Sequence, residues 1–138
     1  MSRPHYWARF ALFTAAILTA WSGIALACRC TEPEPRQAYR MAESVVYGKI
    51  VSAKKEHDGA DTTYVFEVAE SWKQPVESQI TVHTSTTCSY EATVGEKYVF
   101  FLKRFNQSLY ETAMCMGNRP EARSRGLLKF LRAQKPQR

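Results

Sequence analysis

Four cysteines constrain this chain more than any other feature, because all of them follow a leader that reads as removable. Residues 1–27 open with a short basic stretch (Arg3, Arg9) that holds no acid, and continue through an apolar run from Phe10 to Trp21. They break at Ser22-Gly23 and end on Ala25-Leu26-Ala27. That pattern is a secretory signal, with small residues at the two positions a signal peptidase inspects. The apolar run falls short of the about 20 residues that a spanning helix needs, which makes an uncleaved anchor the weaker reading. A cysteine directly after the cleavage point also suits bacterial lipoprotein processing, but that route prefers a larger aliphatic residue where this chain has Ala25. Cleavage after Ala27 is therefore expected, leaving Cys28 as the first residue of a secreted or periplasmic product. A membrane becomes a partner only if Cys28 is lipidated.

Export decides the chemistry of Cys28, Cys30, Cys88 and Cys115. An even count in a small exported domain argues for two disulfides. Of the three possible pairings, Cys28 with Cys30 would close a strained ring across one residue. The other two both send the Cys28-Arg29-Cys30 start to distant partners, and either would pin the new N-terminus against the body of the fold. Bridges that close loops of roughly 60 to 90 residues stabilise by up to about 4 kcal/mol each on the chain-entropy account.

Residues 28–138 fit one domain with a modest core. Losing Arg3 and Arg9 with the leader lowers the net charge from +6 to +4. Most of the excess follows Asn118, where Arg119, Arg123, Arg125, Lys129, Arg132, Lys135 and Arg138 face only Glu121. Such a tail can meet an anionic partner, but a solvated face that aids solubility is the simpler reading. No nucleic-acid partner is expected.

The local pattern is mainly β. Thr31 to Pro35 reads as extended, and Arg36 to Glu43 as one or two helical turns. Ser44 to Ala53 is a strand by its Val, Tyr and Ile content, and Asp58-Gly59 is a turn. A second strand alternates through Tyr64, Phe66 and Val68 and ends near Trp72, and a third carries Ile80 and Val82. Lys97 to Leu102 is apolar on both sides, as a doubly covered strand would be. Leu109 to Met114 makes a fifth strand, with Met114 and Met116 as core methionines. Pro120 suits a first helical turn, and Leu127, Leu128 and Leu131 stripe a basic helix. Trp72, Tyr98 and Phe100 read as core aromatics. Five strands with a short N-terminal helix and a C-terminal helix point to a Greek-key barrel of the OB kind over 28–118, followed by a basic helix and tail over 119–138.

Specific landmarks sharpen this reading. Cys28-Arg29-Cys30 is followed by Pro33, Pro35, Ala38, Tyr39 and Glu43, and then by Val45-Val46-Tyr47-Gly48-Lys49-Ile50-Val51. Tyr64-Val65-Phe66, Glu70-Ser71-Trp72-Lys73, Ile80-Thr81-Val82, Cys88, Gly95-Glu96-Lys97-Tyr98 and Cys115 ahead of Gly117 come after in order. The series resembles the N-terminal domain of the tissue inhibitors of metalloproteinases, within the netrin-like group, across nearly all of residues 28–117. The resemblance implies an OB-like barrel and the pairing Cys28–Cys88 and Cys30–Cys115. It further implies a monomeric inhibitor whose Cys28 α-amine and carbonyl oxygen chelate the catalytic zinc of a target metalloproteinase. The inhibitory edge would comprise Cys28, Arg29, Cys30 and Thr31, flanked by Ser85, Thr86, Thr87 and Cys88. Arg29 would enter the specificity pocket, where the family usually has Ser or Thr. Arg40 stands where the family has a third cysteine, and no cysteine is left over to pair with it.

Two other classes compete. One is a netrin-like binding or scaffold domain without a protease target, since fold does not fix function. The other is a Cu(I) site built from Cys28, Cys30, His83, Met114, Cys115 and Met116, which would need reduced thiols. Catalysis by the chain itself is not expected, because it has neither a His-Glu-x-x-His helix nor a glycine-rich phosphate loop. His5 leaves with the leader, His57 lies in a polar turn, and His83 stands alone on a strand. No cofactor of its own is expected; the zinc belongs to the target.

Overall fold

The computed structural model describes residues 28, 30–56, 61–84 and 88–134. The leader, the Asp58-Gly59 turn with His57, and the last four residues lie outside the described residues. The fold is mainly β. Helix α1 (Pro35–Met41) precedes β1 (Ser44–Lys55), β2 (Thr62–Trp72), β3 (Gln79–Thr84), β4 (Lys97–Arg104) and β5 (Leu109–Glu111). A two-residue β6 (Arg119–Pro120) and helix α2 (Arg125–Arg132) complete it.

Neighbouring strands run β1-β2-β3-β5-β4, and a β1–β4 pairing closes the circuit, so five strands form an OB-like barrel. All pairs are antiparallel except β3 with β5. That parallel pair requires a long crossover between its members, and β4 with its flanking loops supplies one.

Both faces of β4 are covered, as its unbroken apolar run requires. Tyr98, Phe100 and Leu102 turn inward and pack with Val46, Ile50, Tyr64, Phe66, Ile80, Val82 and Tyr110. The Phe66 and Phe100 rings stack with centroids 5.1 Å apart. Val99 and Phe101 turn outward and join Val45, Tyr47 and Trp72 under the helices, where Ala38, Ala42, Leu127, Leu128 and Leu131 cover them. Trp72, Tyr98 and Phe100 are all buried, as core aromatics.

Each helix is held by side chains of the barrel. Lys73 adopts a left-handed backbone (φ 73°), uncommon for a residue with a Cβ. This geometry sends its ammonium to the C-terminal carbonyls of α1, donating to Tyr39 O at 2.9 Å, Arg40 O at 3.3 Å and Ala42 O. A cation there also complements the negative end of the helix dipole. Helix α2 is tied by Arg132, which grips Glu70 of β2 at 2.6 Å, while the Tyr47 hydroxyl donates to Glu121 just ahead of the helix.

Three sequence expectations change. The fifth strand stops at Glu111, three residues early, because Thr112 redirects its hydroxyl to the Phe101 carbonyl at 2.9 Å and the chain leaves the ladder. Residues 114–116 therefore form a 3-10 turn, with Met114 exposed and Met116 packed partly against the helix-side core. Pro120 ends the short strand β6 and leads into a 3-10 turn over Glu121–Arg123, so α2 begins only at Arg125. An edge strand tolerates proline because no ladder partner needs the missing N–H.

Gly48 marks the tightest approach between strands. It sits at a register shift between β1 and β2, where a Cβ would collide with the Glu67 carbonyl and the Phe66 ring. Gly48→Ala should cost about 2–3 kcal/mol through overpacking. Urea unfolding followed by tryptophan fluorescence checks this; an unchanged midpoint would show that the strands can separate there without cost.

Candidate functional site

Cys28 and residues 30–34 belong to no strand ladder, so side chains hold them in place. Cys28 bonds to Cys88 and Cys30 to Cys115, the pairing that the resemblance implies, with Cα atoms 5.6 and 5.2 Å apart. The bridges span 60 and 85 residues of sequence and reach two different loops. Two residues beyond Cys30, Glu32 accepts from Arg119 at 2.6 Å. Pro33 then meets Gly117, whose added Cβ would fall 3.4 Å from Pro33 Cγ and 2.9 Å from Ala38 Cβ. Gly117 also has φ 95°, so glycine is required both for its backbone conformation and for the close passage of the N-terminal strip.

The loop bearing Cys115 is made rigid by a buried polar network. Asn118 Oδ1 accepts from the Phe101 N–H at 2.9 Å, while its Nδ2 donates to Thr112 Oγ1 at 2.7 Å and to Ala113 O at 3.0 Å. Thr112 Oγ1 in turn donates to Phe101 O. One amide side chain thus takes the place of a strand, satisfying the backbone of β4 where β5 has left it. A fully satisfied buried network of this kind specifies one arrangement.

The loop bearing Cys88 is held by tyrosines. The Tyr90 N–H donates to Thr84 Oγ1 at 2.7 Å, and the Tyr64 hydroxyl donates to Tyr90 O and accepts from the Ala92 N–H at 3.0 Å. The Tyr90 ring meets Tyr98 and Phe100 edge-on. Burial, and then the neighbouring Tyr98, push the Tyr90 hydroxyl up to about 12.

Cys28, Cys30 and Cys88 are half-buried and Thr31 is exposed, so the described part of the expected edge is one surface strip anchored in two loops. Arg29, Ser85, Thr86 and Thr87 lie outside the described residues. Exposed Met114 sits beside Cys115 and hence next to this strip. The cysteine sulfurs of the copper reading are all committed to disulfides. His83 faces Thr63 Oγ1 at 3.3 Å and Asp61 at 4.0 Å on the β2–β3 surface. Among the described residues, no group of three or more His, Cys, Asp or Glu is placed to hold a metal ion, and no helix is long and apolar enough to cross a membrane.

Sequence reading missed Asn118, Thr112 and the Glu32–Arg119 pair. Gly117-Asn118 registers in sequence only as a break, and nothing local marks its amide as a substitute strand. No family model and no curated protein matches the chain.

Asn118→Ala would strand the Phe101 N–H and should lower stability by about 1–3 kcal/mol. The same change should raise amide exchange around Cys115 before it does so elsewhere. Tyr90 supplies a pH test. Because its pKa is raised from 10.0 to about 12 in the fold, the stability it contributes is complete below pH 10 and falls as pH rises towards 12. The thermal unfolding temperature should decline over that window, less steeply in Tyr90→Phe, and ultraviolet absorbance should show one fewer late-titrating phenol in the variant.

Proposed function

We propose that the processed protein is an exported, single-domain inhibitor of zinc metalloproteinases, similar to the N-terminal domain of the tissue inhibitors. Its working group is the backbone of Cys28. Cleavage after Ala27 creates an α-amine next to the residue's own carbonyl oxygen, and the two can close a five-membered chelate ring on one metal ion. An α-amine has a pKa near ~8, so zinc can displace its proton at neutral pH. A catalytic protease zinc keeps a coordination position open for water, and the Cys28 backbone would occupy that position and leave the target inert.

The observation that carries this reading is the double tether of the strip, Cys28 to Cys88 and Cys30 to Cys115. A mobile terminus would lose much of its binding free energy to ordering, whereas a terminus fastened on both sides of Arg29 is ordered before it meets its target. Cys28 then has two separate roles, its sulfur holding it in place and its backbone acting as ligand. Thr31 and the strip Ser85, Thr86, Thr87 and Cys88 would flank the zinc. Arg29, entering the specificity pocket, selects a target whose pocket is acidic or solvated, because burying an unpaired guanidinium is costly.

Arg29 also favours a second reading, a netrin-like binding domain with no protease target. One experiment separates the two. The processed protein, its N-terminus established by mass spectrometry, is assayed against a panel of zinc proteases before and after acetylation of the Cys28 amine. Inhibition should fall at least about 100-fold on acetylation, since one ligand to the metal is lost. Retained inhibition would exclude chelation, and inhibition of no protease by the unmodified form would favour the scaffold. Arg29→Thr should shift inhibition towards proteases with apolar pockets.

A further inference from the structure

We propose that the groove between α1 and the C-terminal end of α2 is a docking site for an acidic peptide segment bearing one aromatic or aliphatic side chain. The inference stands apart from the inhibitor reading. The groove is open to solvent, has a volume of about 410 Å³, and is lined by Arg36, Tyr39, Arg40, Phe130, Ala133 and Gln134. Its floor is aromatic: Tyr39 and Phe130 meet edge-to-face with centroids 5.9 Å apart. Both rings pack on the helix-side core from below but are only partly buried, so they also face the groove. The volume lies within the range of ligand sites, about 300–1,000 Å³.

The rim is cationic. Arg36 and Arg40 are exposed and one turn apart on α1, which puts their Cβ atoms about 5–6 Å from each other. Arg119 and Arg132 are paired with Glu32 and Glu70, whereas neither Arg36 nor Arg40 forms an ion pair among the described residues. Lys73, 5.4 Å from the centre of the Tyr39 ring, adds positive charge nearby, although its ammonium is bonded to the α1 carbonyls and does not line the groove. None of the six lining residues is acidic. Each guanidinium offers a planar fork of donors that matches a carboxylate, so the two together complement a polyanionic partner.

Charge also narrows the occupant. Lys135 and Arg138 carry the same sign as the rim, and a second copy of the processed chain has a net charge of +4, so neither complements it. An anionic bilayer is engaged by apolar side chains that protrude among the headgroups. Here the apolar surface is recessed between two helices, a shape that takes in a side chain.

The test uses the processed full chain and a fluorescein-labelled hexapeptide of Glu and Asp with one central Phe, with binding read by fluorescence anisotropy. Replacing both arginines (Arg36→Gln with Arg40→Gln) should raise Kd at least about tenfold. Ala133→Trp, which fills the groove without touching the rim, should do the same. All three positions are exposed, so both variants should keep the parent's unfolding midpoint. Three results would overturn the proposal: an unchanged Kd in both variants, loss in the arginine variant alone, or no saturable peptide binding by the parent. The third counts whether or not the protein sediments with phosphatidylglycerol vesicles.

Discussion

Two sulfur–sulfur bonds join a strip with no secondary structure of its own to two loops distant from it in sequence. Everything proposed for the N-terminus depends on that covalent clamp. Residues 30–34 belong to no strand, and besides the bridges they are held by contacts such as the Glu32–Arg119 ion pair and the approach of Pro33 to Gly117. An exposed ion pair contributes roughly 0–1 kcal/mol, whereas each long-range disulfide contributes up to about 4 kcal/mol on the chain-entropy account. The clamp therefore dominates. It transfers the rigidity of the barrel to a segment that could not order itself.

That transfer works only if the anchoring loops are themselves rigid, and the fold makes each so by a different means. Around Cys115, Asn118 and Thr112 satisfy the backbone of β4 where β5 has left it. Around Cys88, Tyr64 and Tyr90 knit the loop to the barrel through hydroxyl and backbone bonds. The doubly covered strand β4 links the two regions. Its inward ring at Phe100 touches Tyr90, and its Phe101 backbone holds the Asn118 network. The strip is thus mounted on two loops that are both tied to a strand buried on both faces.

Much of the architecture was legible before any coordinates. The run from Lys97 to Leu102 announced a strand covered on both faces, and the stripe Leu127, Leu128, Leu131 announced a helix with one buried side. Both features arise from periodicity, which burial imposes directly on sequence. The ends of elements were less legible. Thr112 and Met114 are compatible with a strand, yet β5 stops at Glu111, where the Thr112 hydroxyl and the Asn118 amide take up the Phe101 backbone that a longer strand would pair with. Pro120 fits a helical first turn as well as it fits the end of an edge strand, and the choice between them is made by its register opposite Tyr98.

What this sequence determines unaided is chemical: an even set of four cysteines, and a pattern that alternates every second residue until it gives way to a helical stripe. These are local properties, written in residue type and spacing. What only the tertiary structure decides is which distant groups meet. Why Gly117 must lack a side chain, and how two arginines come to rim an aromatic groove, depend on contacts between residues far apart in the chain. Separation in sequence carries no information about such contacts until the barrel closes, and that is the physical reason the order of residues could not disclose them.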